Sequence, residues 1–299
     1  MQMLYTIRKV HQGEKIMRKT ARLRELLAGD SIVLAGGAHD AFSARLVEQA
    51  GFELCVVTGA GVAACRGYPD VGLVKLEEMT RNARYIADAI KIPVIIDADN
   101  GYGNALNVRR TVEELETAGV CGMTIEDTDL PHRFGSEGSP SLISIDEGIG
   151  KMKAALDARQ DPKLVIAGRT SAPAITNMDD AITRAKAYEE VGVDAMFFTG
   201  IKSREQVEAI SGTLQIPLIL GSTPPELTDY GFLAANGVRI TLQGHLPFMA
   251  AIKAVYDTLK SLREGTLPAD LSNTYSRNLM EQVTRYDNYK SWMEEYLTG

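Results

Sequence analysis

The stretch PVIIDADNGYG, residues 93–103, decides the fold of this 299-residue chain. Its apolar start, Val94–Ile96, is typical of a strand that is buried on both faces of a parallel sheet. The strand leads directly into Asp97-Ala98-Asp99 and a glycine-containing loop. Because the functional groups of α/β folds lie at the carboxyl ends of parallel strands, these two aspartates are candidates for a functional site.

The same pattern of a short apolar run followed by a longer amphipathic one recurs along the chain. Eight strands, each followed by a helix, predict a (β/α)8 TIM-type barrel. An open doubly wound sheet is the alternative, but no Gly-x-Gly-x-x-Gly motif follows the first strand. The predicted strands are 31–35, 54–58, 94–96, 122–125, 164–167, 195–199, 218–220 and 238–242.

In the segments between these strands, apolar residues recur at helical spacing, which predicts helices. Glycine marks four of the helix–strand joints, where it can form a left-handed cap at little steric cost. Residues 20–29 predict a helix before the first strand, placed as a lid on the bottom of the barrel, and residues 273–297 predict a helical tail rich in aromatic side chains. We expect one barrel domain over residues 1–299. The predicted helices between strands are 41–50, 107–118, 147–159, 179–190, 204–211 and 248–262, and the glycines are Gly51, Gly119, Gly192 and Gly237.

The composition is that of an ordinary globular protein, with 45% hydrophobic and 24% charged residues. A net charge of −7 leaves little material for the basic face that nucleic-acid binding needs. Three cysteines favour a reducing compartment over a disulfide framework. The N-terminus has no signal-peptide pattern, and no run is long enough to span a membrane. We therefore expect a cytoplasmic protein that binds neither membranes nor nucleic acids.

Acidic side chains follow three of the predicted strands. Asp97 and Asp99 follow the third, Glu126 ends the fourth, and Asp70 lies in the loop after the second. Carboxylates that converge on one volume raise one another's pKa or require a cation. Mg²⁺ takes one or two carboxylates together with water and substrate oxygens, and Mn²⁺ is an alternative. For a single aspartate, capping of a loop or helix would be the favoured explanation, but four acids together at strand ends favour a metal site.

Other strand ends carry groups that suit an anionic ligand. The amides of Thr58, Gly59 and Ala60 can point at a carboxylate or phosphate, although an ordinary βα turn explains them as well. Arg169 emerges from an apolar strand and needs an acidic partner, either in the substrate or in the protein. His245 follows the last strand and has a structural or a catalytic role, while the environment of His39 reads equally as a helix N-cap. Cys55 and Cys121 fall in strands and are predicted core residues, and Cys65 is predicted in a loop.

Together these motifs resemble the isocitrate lyase and phosphoenolpyruvate mutase superfamily. The combination of the DADNGYG run with the IED run is specific, and the matching segments keep their order over most of the chain. The matching stretches are Gly37–Arg45, Thr58–Ala63, Pro69-Asp70, Asp97–Asn104, Ile125–Asp127 and Ala167–Thr170.

The resemblance implies a barrel whose last helix is exchanged between the subunits of a homotetramer. It also implies a magnesium ion held by Asp97, with Asp99 and Glu126 in its water shell, that chelates a small 2-keto acid. The amides of Thr58–Ala60 and Arg169 would hold the substrate carboxylate. Asp70 would lie on a mobile loop near the reacting end.

Departures from the superfamily pattern indicate the branch. The lyases carry a Lys-Lys-Cys-Gly-His run where this chain has Pro131–Ser139, without cysteine. The mutases carry an Asp-Lys and a Lys-x-Asn-Ser run that are also missing. Glu147–Lys151, Gly244-His245 and a tail with Tyr275 resemble instead the bacterial oxaloacetate decarboxylase branch, although Gly221–Pro225 stands where a tyrosine-containing loop is expected.

The reaction implied is magnesium-dependent decarboxylation of oxaloacetate, or of a close 2-keto diacid, to pyruvate and CO₂ through a metal-stabilised enolate. His245 would orient the departing carboxylate or assist protonation. The alternatives are cleavage of a C–C bond in a substituted malate, P–C bond chemistry, and binding of a keto acid without turnover.

Overall fold

The computed structural model describes residues 18–272 and 276–298. Within these residues, eight parallel strands pair in chain order and close into a barrel, with β8 hydrogen-bonded to β1. The (β/α)8 barrel is therefore confirmed over the doubly wound alternative. The strands are β1 (Val33–Ala38), β2 (Leu54–Val57), β3 (Val94–Asp97), β4 (Gly122–Glu126), β5 (Val165–Thr170), β6 (Ala195–Phe198), β7 (Leu218–Leu220) and β8 (Val238–Leu242).

The strand ends differ from the predicted ones by at most three residues. The largest difference that matters for function is in β5, which continues to Thr170 and includes Arg169. Arg169 pairs in register with Glu126 of β4. A strand continues through polar residues when the neighbouring backbone is available for hydrogen bonds, which an apolar run cannot reveal.

Helices surround the barrel in the alternating order that the sequence predicts. The glycines at the four helix–strand joints all have positive φ, between 76° and 101°, which confirms their predicted role. Four helices were not predicted, namely α3, α4, α7 and α10, and Cys65 ends α3 instead of lying in a loop. The described helices are α1 (Lys19–Ala28), α2 (Ala41–Gln49), α3 (Gly59–Cys65), α4 (Leu76–Ala89), α5 (Ala105–Thr117), α6 (Ile145–Ala158), α7 (Ala172–Ile175), α8 (Met178–Val191), α9 (Arg204–Ser211), α10 (Tyr230–Ala235), α11 (Leu246–Arg263), α12 (Arg277–Thr284) and α13 (Tyr286–Tyr296).

The core has two parts, one between the barrel and its helices and one inside the barrel. Leu23, Leu26 and Leu27 of α1 belong to the inner part, together with inward-facing strand residues such as Leu54 and Ile240. Arg24 of the same helix donates to the carbonyls of residues 163 and 164, just before β5 begins. The helix α1 therefore closes the amino-terminal end of the barrel, as predicted, and leaves the carboxyl end open for a site.

The C-terminal helices follow the barrel without joining its core. Helix α11 has no buried residue, and Val283 is the buried residue of α12. The first residues of the predicted tail, 273–275 with Tyr275, lie outside the described part of the chain. None of the described helices combines the length and the apolar character needed to cross a membrane. A single domain over residues 1–299 stays a prediction.

Candidate active site

One cavity at the carboxyl ends of the strands is lined by six of the residues that the sequence singled out. The cavity has a volume of about 280 Å³. Its walls also include apolar side chains from the barrel interior, among them Phe197 and Leu242. A polar pocket with an apolar wall is typical of small-molecule sites. The six predicted residues in its lining are Thr58, Ala60, Asp70, Asp97, Arg169 and His245.

Arg169 joins two acidic side chains from neighbouring strands. Its Nη1 lies 2.7 Å from Asp97 Oδ2, and its Nε lies 3.0 Å from Glu126 Oε2. The second contact is a charge pair and not an aligned hydrogen bond, because Nε–H has no well-oriented acceptor. Burial disfavours the charge, but Asp97 and Glu126 outweigh burial and hold the pKa of Arg169 above its usual range. The guanidinium is therefore a fixed cation in the cavity.

The carboxylates of Asp97 and Asp99 converge on Gly59 at the start of α3. A Cβ atom built on Gly59 would lie 3.3 Å from Asp99 Oδ1 and 3.6 Å from Asp97 Oδ2. Asp99 adopts a left-handed backbone conformation with φ 46°, and its amide donates to Asp97 Oδ1 at 3.2 Å. This turn brings both carboxylates to the same side of the loop, where glycine leaves room for them.

The acidic side chains around Asp97 carry more negative charge than the neighbouring arginine can neutralise. Burial raises the pKa of Asp99 to about 8, with further contributions from Asp97, Glu126 and Asp70 that Arg169 opposes. Burial likewise raises the pKa of Glu126, against the effect of Arg169. Four acids thus face one arginine. A divalent cation would relieve the repulsion, because it favours the ionised form of every carboxylate near it.

The donor set suits an open cation site and not a closed one. Among the described residues, no three His, Cys, Asp or Glu side chains are close enough together to enclose a metal ion. Mg²⁺ does not need such a cage, because it keeps several waters and uses substrate oxygens as ligands. Asp97 fits as a protein ligand, while Asp99 and Glu126 fit either as ligands or in the surrounding water shell.

The predicted amide donors are only partly available. The amide of Thr58 donates to the carbonyl of Ala38 at 3.1 Å, so the prediction that it faces a ligand is wrong. Thr58 extends the β1–β2 pairing by one residue before α3 begins, which accounts for this bond. Gly59 and Ala60 lie in the first helical turn, where amides have no partner within the helix. The Thr58 side chain still lines the cavity.

Asp70 and His245 lie at the exposed rim of the cavity. Nearby protein atoms partly desolvate the carboxyl of Asp70 and raise its pKa, as does Asp97, against Arg169 and His245. His245 precedes α11 as its N-terminal flanking residue. His39 lies outside this rim, with its ring 4.9 Å from that of Phe248, and Asp40 caps α2 through Ser43. The N-cap interpretation of His39-Asp40 is therefore confirmed.

Several residues near the site were not predicted. The hydroxyl of Tyr102 is buried without a partner, and its pKa is raised well above the usual range by burial and by Asp99 and Asp97. Asp127 faces away from the cavity, and its Oδ2 accepts from Tyr188 at 3.0 Å and from Arg184 at 3.2 Å. Strand alternation could have revealed that Asp127 and Glu126 face opposite sides. Thr124 and Thr199 also line the cavity, but no pattern in the sequence marks them, whereas Ser222 of the cavity wall belongs to the Gly221–Pro225 loop noted in the sequence.

The fold and the site together define a class: (β/α)8-barrel enzymes with an acid-rich, open site at the carboxyl ends of the strands. Within that class, the chain belongs to the phosphoenolpyruvate phosphomutase family, whose model matches residues 23–263. The resemblance to this superfamily is thereby confirmed.

The chain is also similar to individual relatives and to solved structures. The chain is 49% identical over 276 residues to an oxaloacetate decarboxylase of Bradyrhizobium sp. (strain ORS 278), covering 92% of this chain and 96% of the relative. A phosphonopyruvate hydrolase in complex with oxalate and Mg²⁺ is 30% identical, with a TM-score of 0.84 over 94% of this chain and 100% of that one. An oxaloacetate acetylhydrolase in complex with 3,3-difluorooxalacetate is 30% identical, with a TM-score of 0.81 over 92% of this chain and 96% of that one.

Proposed function

We propose that this protein decarboxylates oxaloacetate, or a close 2-keto diacid, to pyruvate and CO₂. The observation that carries the proposal is the cavity in which Asp97, Arg169 and His245 converge. Relatives at about 50% identity that are named oxaloacetate decarboxylase support the choice of substrate. Of the described cysteines, Cys55 and Cys121 are buried in the core, as predicted, and the cavity lining includes none. Chemistry that needs a cysteine acid is therefore disfavoured.

The proposed cofactor is a divalent cation, Mg²⁺ or alternatively Mn²⁺, held by Asp97 with Asp99 and Glu126 around it. The raised pKa of Asp99 and the acid excess near Arg169 support this assignment. When bound, the cation supplies Lewis acidity at the keto oxygen of the substrate. A related hydrolase structure that contains oxalate and Mg²⁺ supports the choice of Mg²⁺.

The protein's own groups would bind and orient the substrate. Arg169 uses two of its nitrogens on Asp97 and Glu126, and a guanidinium has five N–H donors, so donors remain for a substrate carboxylate. The amides of Gly59 and Ala60 and the hydroxyl of Thr58 would hold the same carboxylate. Asp70 and His245, at the rim, would face the carboxylate that leaves as CO₂. The electron pair of the broken C–C bond passes to the keto oxygen, and solvent supplies the proton at C3.

The direct test is pyruvate formation from oxaloacetate by purified protein with Mg²⁺, measured against the rate with Mg²⁺ alone. We expect a rate far above that background, and its removal by chelation. A panel of 2-hydroxy and 2-keto acids, including substituted malates and a phosphonate, runs beside it. Cleavage of a malate analogue without turnover of oxaloacetate would replace the proposal by the lyase alternative. Tight binding of oxaloacetate without any product would replace it by a binding role.

We also propose that α11 is exchanged between subunits of a homotetramer. Its apolar residues form one exposed stripe, which includes Met249, Ile252 and Val255. An apolar groove of about 300 Å³ lies beside α2 and the first turns of α11, lined by Phe42, Phe52 and Phe248, and it offers an apolar surface for such packing. Light scattering should give four times the chain mass, and Val255→Asp should lower it, while Lys253→Gln on the same helix should not. A monomeric wild-type protein would exclude the exchange.

The three free cysteines support a reducing compartment, so the proposed location is the cytoplasm. Small 2-keto acids are the proposed ligands, and nothing in the charge distribution of the sequence favours nucleic acid.

A further inference from the structure

Helix α6 carries a lysine whose side chain is almost completely buried. Lys151 is 1% exposed, and its Nζ donates to the backbone carbonyl of Asn100 at 3.1 Å. The two residues are 51 positions apart in the chain. Burial of an ammonium group is costly unless it gains partners, so a buried lysine calls for a specific interaction. That interaction is with the loop that carries Asp97 and Asp99.

In this loop, two residues that carry side chains, Asp99 and Tyr102, have a backbone conformation that such residues rarely adopt. Asp99, Gly101 and Tyr102 have φ angles of 46°, 79° and 61°. Residues with a side chain rarely adopt positive φ, and such conformations persist only where the surroundings fix them. The position of the Asp99 carboxylate opposite Gly59 therefore depends on what holds the loop.

Three carbonyls of the loop are held by groups from other elements. The carbonyl of Asp99 accepts from the amide of Glu126 at 2.8 Å, and that of Gly101 accepts from the hydroxyl of Thr111 at 3.0 Å. The carbonyl between them, that of Asn100, accepts from Lys151. Of these three donors, Lys151 is the charged one, and hydrogen bonds from charged donors are the stronger ones.

Asn100 extends the same support to the segment after β4. The residue is buried, and its side-chain oxygen accepts from the amide of Tyr102 at 3.0 Å. Its side-chain nitrogen donates to the carbonyl of Leu130 at 2.8 Å. Asn100 thus links the aspartate loop to Leu130, the residue just before the segment Pro131–Ser139. Lys151 holds Asn100 from the side of the helix layer.

We propose that Lys151 is a positioning residue, whose bond to the Asn100 carbonyl fixes the turn that presents the Asp99 carboxylate beside Asp97. The role rests on the proposed divalent-cation site and extends it to the Glu147–Lys151 motif of α6. Lys151 acts through the backbone of the loop and not on the substrate. Burial lowers the pKa of Lys151, and its acidic surroundings, which include Glu147 and Asp129, oppose that effect.

The test compares Lys151→Met with Lys153→Met, a change of an exposed lysine on the same helix. Methionine fills a similar volume but cannot donate a hydrogen bond. Binding of Mg²⁺ is measured by calorimetry on the substrate-free proteins, and thermal unfolding shows that each is folded. We expect Lys151→Met to raise the Kd for Mg²⁺ by about tenfold, because groups that orient metal ligands typically contribute 10- to 100-fold to affinity. Lys153→Met should stay within about twofold of wild type, well below that range.

A second readout separates positioning from a general loss of structure. If Lys151 acts on the cation site, excess Mg²⁺ should restore most of the oxaloacetate turnover of Lys151→Met, and a misfolded protein would not respond. Should Lys151→Met fail to fold, Lys151→Gln, which keeps a donor but is shorter and uncharged, is measured in the same way. It should raise the Kd by more than the about twofold allowed for the control and by less than about tenfold.

Three results would overturn the inference. They are a wild-type Kd in whichever of the two Lys151 variants folds, an equal change in the Lys153 control, and a wild-type protein that does not bind Mg²⁺. Wild-type protein that binds Mg²⁺ but leaves oxaloacetate unchanged would contradict the proposed reaction and leave the role of Lys151 in place.

Discussion

The two ends of the barrel treat half-buried acidic side chains in opposite ways. At the amino-terminal end, Asp194 accepts from Arg24 at 2.7 Å, from Arg159 at 2.8 Å and from the amide of Ile166 at 2.8 Å. At the carboxyl end, Asp99 faces other acids, and burial together with those acids raises its pKa to about 8. At the amino-terminal end, two arginines neutralise Asp194, whereas at the carboxyl end the acidic side chains around Asp99 outnumber the one arginine beside them.

The difference shows which end is built for stability. The closed end also carries α1, whose Lys19 donates to the carbonyls of Ala87 and Ile90 at 2.6 Å each. Matched charges and satisfied carbonyls stabilise a fold, whereas an acid excess costs stability unless a ligand offsets it. Functional sites often carry such a cost. Three substitutions test the contrast.

The largest effect is expected at the open end, on activity. Asp97→Ala should lower kcat/KM for oxaloacetate at least about 10³-fold, which corresponds to about 4 kcal/mol. The cation would lose its principal protein ligand, and Arg169 would lose its 2.7 Å partner. Steady-state kinetics with saturating Mg²⁺ measure the effect. Asp157→Ala, which removes an exposed acid from α6, is the control. Activity within tenfold of wild type in Asp97→Ala would exclude Asp97 as a ligand.

A smaller effect, on stability, is expected at the closed end. Asp194→Ala should lower the free energy of unfolding by about 3 kcal/mol, because it leaves two arginines without their shared acceptor. Urea denaturation measures this, with Glu190→Ala, an exposed change on α8, as the control. The kcat of the folded Asp194→Ala protein should match wild type. Loss of kcat without loss of stability would contradict the assignment of stability to the closed end and of activity to the open end.

The smallest effect is a pH dependence at the open end. The carboxyl of Asp99, with a pKa raised from 3.8 to about 8, takes up a proton on folding between those values. The metal-free protein should therefore lose stability as the pH rises from about 4 to about 8. Because a cation displaces that proton, its Kd should fall by up to about tenfold per pH unit below pH 8 and level off above it.

Calorimetry with Mg²⁺ from pH 6 to pH 9 measures the change in Kd. Thermal unfolding of the metal-free protein over the same range measures its expected loss of stability as the pH rises to about 8. Asp99→Asn should flatten both curves. A Kd for Mg²⁺ that does not change between pH 6 and pH 8 would show that Asp99 is already ionised without the cation.

Most of the fold could be predicted from sequence because the period of apolar residues records which faces are buried. The eight strands and the glycine caps follow from that local pattern. Helix α4 was missed although its apolar positions recur at helical spacing, and α3 was missed because Gly59 and Gly61 suggest a turn. In α3 the packing around Val62, which is fully buried, overrides the low helix propensity of glycine.

The composition of the site was also predictable, but its internal contacts were not. Parallel strands end at the same edge, so Asp97, Glu126 and Arg169 had to lie near one another. The sequence left open whether the partner of Arg169 is a substrate or a protein carboxylate, and in the structure it contacts two carboxylates of the protein. The amide of Thr58 was predicted to be free, but it is bonded to Ala38 because the β1–β2 ladder continues past the apolar run.

The sequence by itself determined which residues reach the open end of the barrel, since strand alternation and strand direction are local properties of the chain. Only the tertiary structure decided what those residues contact. Asp127 turns away to Tyr188, and the Asn100 carbonyl meets an ammonium group 51 residues away. Such pairings depend on how helices pack against the barrel, and that packing is a property of the whole chain, not of any one segment.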